Sequence, residues 1–260
     1  MRIRNVATAT MLALALSAPA FAQTASSKAT AAVNTLVKCT MSTDTNDDGT
    51  AQLPASCVDL WSGATVATED EWIPVMTTTV KLSNSQSVFV SPSLVTGLYT
   101  QTRTKTTTGS TSTAQAMGAV YMRAVLVDSK GNEILAAPLN LCNSNTFGCA
   151  SVAGDWGVVL DSRIQTLSQS LSTCTVLTTS GDTGTCTFTS IIDFILQTAS
   201  AHTFNLIFAN VGVGTYTLRV DAAVASSASV IGSGSAVGSA AFGLGSVTAE
   251  SVRLVHDFSF

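Results

Sequence analysis

Runs of β-branched and aromatic residues, separated by clusters of Gly, Asn, Asp and Ser, recur through most of the 260-residue chain. Apolar and polar residues alternate within several runs, which is typical of strands with one buried and one solvent-facing side. The predicted strands are Met76–Leu82, Ser87–Val90, Gly97–Thr108, Ala119–Val127, Glu133–Ala137, Gly157–Leu160, Thr203–Ala209, Thr215–Ala225 and Glu250–Phe258. Many strands and almost no helix predict an all-β fold, an antiparallel, jelly-roll-like β-sandwich with one or two short helices.

Turn chemistry supports this interpretation. The strands Ala119–Val127 and Glu133–Ala137 flank Asp128–Asn132, in which Gly131 can take the positive φ of a hairpin turn. Asn210–Thr215 predicts a second turn, and the Thr- and Ser-rich tract Lys105–Ala116 predicts an exposed loop or hairpin tip.

Other segments are less regular. Asp161–Leu171 and Ser190–Thr198 show helical spacing, the second with a capping-box start, although Ile191–Leu196 fits a buried strand equally well. Residues 226–247 are rich in Gly, Ala and Ser, which predicts either a flexible connector or strands packed closely through small side chains.

The first residues are typical of a secretory signal peptide. Arg2 and Arg4 precede a short apolar stretch, and small residues at Ala20 and Ala22 predict cleavage after Ala22. Residues 1–22 are therefore the predicted signal peptide, residues 23–38 a flexible leader, and residues 39–260 a single β-sandwich domain. The expected product is secreted or periplasmic.

Charge and hydropathy exclude some partners. Cleavage leaves 10 of the 12 basic residues against 16 acidic residues, a net charge of −6, which is unfavourable for binding nucleic acid. No later stretch is apolar over the roughly 18 residues that a membrane-spanning helix needs, so we expect no transmembrane helix.

Six cysteines in an exported chain predict disulfide bonds. Each neighbouring pair brackets a segment rich in turn-forming residues, so we expect sequential pairing, whereas the spacing of a zinc site is missing. The predicted disulfides are Cys39–Cys57, Cys142–Cys149 and Cys174–Cys186.

One acidic loop matches the first half of a calcium-binding loop. Its alternating oxygen-bearing side chains and Gly49 suit a hard cation. However, its twelfth position is Ala55 instead of a glutamate, so the alternative is a plain turn. Further oxygen ligands are available from Asp59 and from Glu69–Glu71. The candidate Ca²⁺ ligands are Asp44, Asn46, Asp48 and Thr50.

Catalytic motifs are weak. Asp182–Gly184 is the tripeptide of aspartic proteases, but it follows Ser180 and Gly181 instead of an apolar strand, which favours a turn. The two histidines, His202 and His256, lack a G-x-S-x-G nucleophile motif, and we expect both to be structural. Two carboxylates of a glycosidase cannot be singled out among the acids. The sequence therefore predicts no catalytic residue and no certain cofactor.

Aromatic rings offer a further binding hypothesis, a glycan or cell-surface partner held on exposed rings, although most of the rings are expected in the core. They are Trp61, Trp72, Trp156, Tyr99, Tyr121 and Tyr216. The final segment, Val252–Phe260, alternates and ends in phenylalanine, which resembles the last strand of an outer-membrane barrel.

The segment IIDFILQTASAHTFNLIFANVGVGTYTLRVDAAV resembles stretches of uncharacterised secreted bacterial β-sandwich proteins. That resemblance implies a sandwich fold and no activity. The function predicted from the whole sequence is an exported, non-enzymatic β-sandwich with a binding, adhesive or surface-structural role. The alternatives are a secreted, glycosidase-like hydrolase and an outer-membrane β-barrel. The oligomeric state is not predicted.

Overall fold

The computed structural model describes residues 29–46, 51–69 and 71–253. Nearly all of this part is β-strand, and the fold is a β-sandwich, antiparallel but for one short pairing, which confirms the predicted fold class. The helical segments are α1, Cys57–Leu60, and a 3-10 turn, Leu139–Leu141. The strands are β1 Ala29–Asn34, β2 Lys38–Thr45, β3 Thr65–Val66, β4 Ile73–Leu82, β5 Gln86–Thr107, β6 Thr111–Val127, β7 Glu133–Leu135, β8 Cys149–Val152, β9 Asp155–Ser170, β10 Cys174–Leu177, β11 Thr183–Cys186, β12 Thr189–Thr203, β13 Leu206–Val211, β14 Gly214–Ile231 and β15 Ser233–Val252.

Two sheets face each other. Sheet A has the order β12-β5-β15-β2-β3, with β1 pairing the second half of β15 and β13 pairing the first part of β5. Sheet B has the order β4-β14-β6-β9-β8, with β7 beside β6. The hairpin β10–β11 is separate from both sheets. Because β5 and β6 follow each other in opposite sheets, as do β14 and β15, the long strands tie the two layers together.

One end of the sandwich has an apolar core. The inner side of β5 carries Val88, Val90 and Leu94 there, all fully buried. They belong to one cluster with Met122 of β6 and Phe242 of β15. Each such side chain stabilises the fold by about 1.5–3 kcal/mol when it is buried, so this end supplies most of the hydrophobic stabilisation.

Toward the other end the interior becomes narrow and polar. The inner side of β5 changes to Thr100, Thr102, Thr104 and Thr106, all of them buried. A Cβ atom on Gly238 of β15 would overlap the backbone carbonyl oxygens of Met117 and Ser227 in sheet B. Residues 226–247 are therefore strands packed through small side chains, the second of the two predicted alternatives.

Both predictions of a helix are wrong. Asp161–Leu171 forms most of β9, and Ser190–Thr198 lies within β12. In β9 the exposure alternates with a period of two, and its partly buried residues face hydroxyl groups of β5, so polar side chains suit a strand there. The strand alternative for Ile191–Leu196 is correct, but the strand is exposed and not buried.

Three boundaries also differ from the prediction. The strand that begins at Ser87 does not stop before Pro92, because Pro92 lies where the neighbour of β5 changes from β12 to β13. An interruption of this kind tolerates a residue that has no N–H group. Most of Lys105–Ala116 is strand, and only Thr108–Ser110 forms the hairpin tip. The predicted flexible leader contains β1, which pairs with Gly245–Glu250. Residues 1–28, the predicted signal peptide among them, lie outside the described residues.

The predicted hairpin between β6 and β7 is confirmed. The Asp128 carboxylate accepts hydrogen bonds from the backbone N–H groups of Lys130 and Asn132 and from the Asn132 amide. The Asn132 side-chain bond contributes most to lowering the pKa of Asp128. Gly131 has the positive φ that the turn requires.

The six cysteines form the three sequential pairs that the sequence predicted. Cys39–Cys57 joins β2 to α1, and both residues are buried against Ala64 and Ala241 on the outer face of sheet A. Cys174–Cys186 closes the β10–β11 hairpin, and Cys142–Cys149 closes the loop before β8. Three disulfides indicate an oxidising compartment.

Among the described residues, no helix is long and apolar enough to cross a membrane.

The close approach of the sheets makes Gly238 sensitive to substitution. We expect Gly238→Ala to lower the free energy of unfolding by about 3 kcal/mol, because the added methyl group meets two backbone oxygens that side-chain rotation cannot move. The control is Gly184→Ala in β11, where an added Cβ has only ordinary van der Waals contacts. Urea unfolding of both variants tests this, and equal stability would contradict the close packing.

Candidate functional site

The structure gives two of the predicted calcium ligands other roles. The Asp44 carboxylate accepts a hydrogen bond of 2.8 Å from the backbone N–H of Val230. The Asn46 amide donates to the carbonyl of Gly232, and its backbone pairs with Gly234. Asp48 and Thr50 lie outside the described residues. These contacts fasten the end of β2 to the β14–β15 connection.

Two of the further candidate ligands, Asp59 and Glu69, also have hydrogen-bond partners. Asp59 accepts a hydrogen bond from Ser56, and Glu69 accepts bonds from the hydroxyls of Thr40 and Ser226. Across the part of the chain that the structure describes, no three His, Cys, Asp or Glu side chains gather closely enough to hold a metal ion. Calcium binding by the loop from Asp44 to Thr50 stays a prediction.

The aspartic-protease tripeptide lies in a hairpin. Asp182 is in the turn between β10 and β11, where its carbonyl accepts hydrogen bonds from the backbone N–H and the hydroxyl of Thr178. Its surroundings are exposed. A turn residue in this position has no buried partner carboxylate with which to share a proton.

A buried charge network on the outer face of sheet B escaped the sequence analysis. The Asp221 carboxylate is 1% exposed and receives Arg123 Nε at 3.0 Å and Arg219 Nε at 2.7 Å. Arg123 also contacts Asp155 and lies 4.6 Å from the ring centre of Trp72. The hydrogen bond to Asp221 contributes most to raising the pKa of Arg219. Because the bonds of Asp221 are satisfied within the sheet, the network is a structural element.

We expect Asp221→Ala to lower the free energy of unfolding by about 3–5 kcal/mol, because it leaves the buried Arg123 guanidinium without its buried counter-charge. Asp155→Ala is the matched control, since Asp155 contacts the same guanidinium from an exposed position, and it should cost about 1 kcal/mol or less. Thermal and urea unfolding measure both. Similar losses for the two variants would show that burial of Asp221 does not govern the network.

An open cleft lies between β9 and β12, and we call it the β9–β12 cleft. Its apolar wall consists of Ile192, Phe194 and Leu196, the inner-side residues of β12. They point toward the space between the sheets, yet they stay substantially exposed, Phe194 by 52%. The reason is topological: β12 is the edge strand of sheet A, and sheet B extends only as far as β9 at this end.

The opposite wall of the cleft, on β9, is mostly polar, and hydrogen bonds connect it to the threonines of β5. Gln165 of β9 accepts a hydrogen bond of 2.7 Å from Thr100 and donates to Thr102 and to the carbonyl of Phe194. Gln169 accepts a bond from Thr104 in the same way. These bonds link the sheets where the inner side of β5 carries threonines instead of large apolar side chains.

At one end of the cleft a histidine, a serine and a carboxylate come together. Ser200 Oγ lies 2.7 Å and Asp161 Oδ2 lies 3.4 Å from the same ring nitrogen, Nε2 of His202. Asp161 Oδ2 also accepts a bond of 2.6 Å from Thr96. A catalytic relay needs the serine and the carboxylate on opposite ring nitrogens. This arrangement fits the structural role predicted for His202; His256 lies outside the described residues.

Arg163 places a cation in the same wall of the cleft. Its Nη2 donates to the Thr198 hydroxyl at 2.8 Å, while its buried Nη1 has no hydrogen-bond partner. No carboxylate among the described residues forms an ion pair with it. The cleft thus offers an apolar wall, amide groups and one guanidinium.

We expect Gln165→Ala to lower the free energy of unfolding by about 2 kcal/mol, because it removes bonds between the sheets and leaves Thr100 and Thr102 without partners. Hydrogen exchange should then accelerate selectively in β12. Gln115→Ala on the exposed side of β6 is the control and should change little. Unchanged exchange in β12 would show that Gln165 does not anchor that strand.

Two of the three tryptophans pack against glycines in the sheets. Trp61 packs on Gly97 of β5 and donates to Ser239, and Trp72 packs on Gly157 of β9. Trp156 is partly exposed in β9. A shallow apolar groove of about 170 Å³ beside Trp61 is lined by Val37, Val95 and Leu244, among others, and holds no charged residue. The rings of Trp61 and Trp72 are therefore committed to packing.

Comparison with known proteins gives no family. No family model and no curated protein matches the chain. Among solved structures, it is similar to a chain in the structure of infectious bursal disease virus Gt strain, with 10% identity and a TM-score of 0.16. A chain of the T13 viral particle of the same virus gives 9% identity and the same TM-score. The alignments cover 89% of this chain but only 44% and 41% of the viral chains. Structural similarity at this level supports no conclusion about this protein.

Proposed function

We propose that the protein is an exported, non-enzymatic β-sandwich that binds an extended polypeptide segment by strand addition at β12, in an adhesive or surface-structural role. The predicted signal peptide and the three disulfides support export to an oxidising compartment. The observation that carries the proposal is the long, exposed edge of β12 beside the open β9–β12 cleft.

Strand addition uses two kinds of contact. An edge strand presents a row of backbone N–H and C=O groups that a new strand can satisfy, and pockets for alternate side chains add selectivity. β12 pairs continuously with β5 from Thr189 to Thr203 on one side, and no strand of the described residues pairs with its other side. The inner wall around Phe194 can cover apolar side chains of the added strand, while Arg163 and Gln165 offer polar contacts.

The cleft favours an extended peptide over a compact small molecule. It is open along β12 and is not a closed cavity; the space near Phe194 is lined only by Thr102, Gln165, Thr166 and Leu167 in addition. Pockets for small ligands normally enclose most of the ligand surface. A glycan or cell-surface ligand remains within the proposed binding role, but the two tryptophans with defined packing contacts do not form a platform for it.

A labelled peptide of alternating threonine and valine, about nine residues long, tests strand addition. We expect fluorescence anisotropy to show saturable binding at low protein concentration. A matched peptide with proline at its centre should bind at least about tenfold more weakly, because proline removes a ladder donor.

A protein variant separates the cleft from the remaining surface. Phe194→Ala should weaken peptide binding by about tenfold, because it removes apolar area beside the added strand. Ile164→Ala is the control, since Ile164 is similarly exposed but lies on the outer side of β9, away from the cleft. Equal binding of the two peptides, or equal effects of the two variants, would contradict the proposed site.

A further inference from the structure

The edge of β12 differs from the other free edges of the sandwich. We propose that its occupant is a second copy of this chain, which pairs its own β12 antiparallel to the first about a twofold axis at Ile195. The inference rests on the proposed function, strand addition at β12, and names the partner.

The edge of β12 lacks proline, lysine, bulges and short length, the features that normally prevent sheets from joining. Edge strands are usually protected by proline, lysine, bulges or short length. β12 has fifteen residues, contains no proline or lysine, and keeps an unbroken register with β5. Its exposed side chains include Ile191, Ile192, Phe194, Ile195 and Leu196.

Three other edges of the described sheets, those of β4, β9 and β1, are protected. β4 contains Pro74 and Lys81, and the register of its partner shifts between Val220 and Asp221. The free part of β9 carries Asp161 and Arg163 and begins at a register shift. β1 is only six residues long. β12 differs from these three edges in its length, its unbroken register and its lack of proline and lysine.

β12 is also complementary to a second copy of itself in one antiparallel register. With Ile195 opposite its own copy, Ile191 faces Ala199 and Asp193 faces Gln197 on the outer side. Asp193 already accepts bonds from Gln101 Nε2, and a carboxylate has further lone pairs for the partner's amide. On the inner side Phe194 faces Leu196, so that apolar side chains meet in the cleft.

Electrostatic repulsion between two copies is also weak at this edge. The chain is acidic, with a net charge of −4 before any cleavage, so two copies repel each other at long range. Within residues 189–201 the only charged side chain is Asp193. In the proposed register the two Asp193 residues are about 13 Å apart along the strands, which exceeds the screening length of physiological salt. This edge is thus the place where two copies meet with little repulsion.

Sedimentation velocity over a range of protein concentrations gives the first test. We expect a reversible dimer for the wild type, and a dimer at least about tenfold weaker for Ile195→Lys, which places two ammonium groups against each other at the axis. Ile164→Lys adds the same charge on the outer side of β9 and should leave the dimer unchanged.

Single cysteines test the register. All six native cysteines are paired, so an added cysteine is the only free thiol. Under mild oxidation Ile195→Cys should form a covalent dimer with itself. Ile191→Cys should not, but it should link to Ala199→Cys when the two variants are mixed. Crosslinking without this preference would overturn the register.

The outcomes separate this inference from the proposed function. A wild-type protein that stays monomeric while it binds the threonine-valine peptide overturns self-pairing and leaves strand addition at β12 intact. A monomer that binds neither peptide overturns both. A dimer that Ile195→Lys does not weaken overturns self-pairing at β12 as well.

Discussion

The rest of the architecture depends on the close approach of the two sheets at the narrow end. Gly118 and Gly238 lie where the backbones of β6 and β15 nearly touch, so no side chain fits between them. Much of the interior beside Gly238 is lined by small or hydroxyl-bearing residues, as Thr100 and Ala236 show. Here the two sheets are linked by the hydrogen bonds that Gln165 and Gln169 of β9 make with β5. Buried apolar area contributes less than at the other end. Because the interior is narrow here, the isoleucine and phenylalanine side chains of the edge strand β12 cannot be buried in it.

Alternation and turn chemistry predicted much of the fold. Asp128 and Gly131 define the β6–β7 turn through local hydrogen bonds and a local φ, so the sequence around them is sufficient. The disulfide pairs were predictable for a related reason, because each closes a short segment. By contrast, β9 and β12 were partly misassigned. Their neighbours come from β5 and β6, far along the chain, and a local helical spacing carries no information about that polar environment.

The site itself was harder to predict than the fold. Asp44 belongs to a motif that indicates a cation, yet the structure uses its carboxylate for the N–H of Val230, 186 residues away. Arg123 and Asp221 form the most buried charge pair of the described residues, but nothing in their sequence spacing indicates it. Nor does the composition of Ile191–Leu196 show whether that run is buried or on an edge. That difference depends on the width of the opposite sheet, which only the assembled topology defines.

An exposed apolar edge strand promotes unwanted association between protein molecules, which argues that β12 is retained for a reason. The chain protects β4 with Pro74 and Lys81, so edge protection is available to this sequence. A single lysine in place of Ile195 would protect β12 in the same way without disturbing the core, because that side chain is 55% exposed and points away from the cleft. The fold would lose little stability from such a change. The unprotected edge is therefore best explained by a strand that covers it, since apolar side chains and free backbone groups of this length are satisfied together only by another strand.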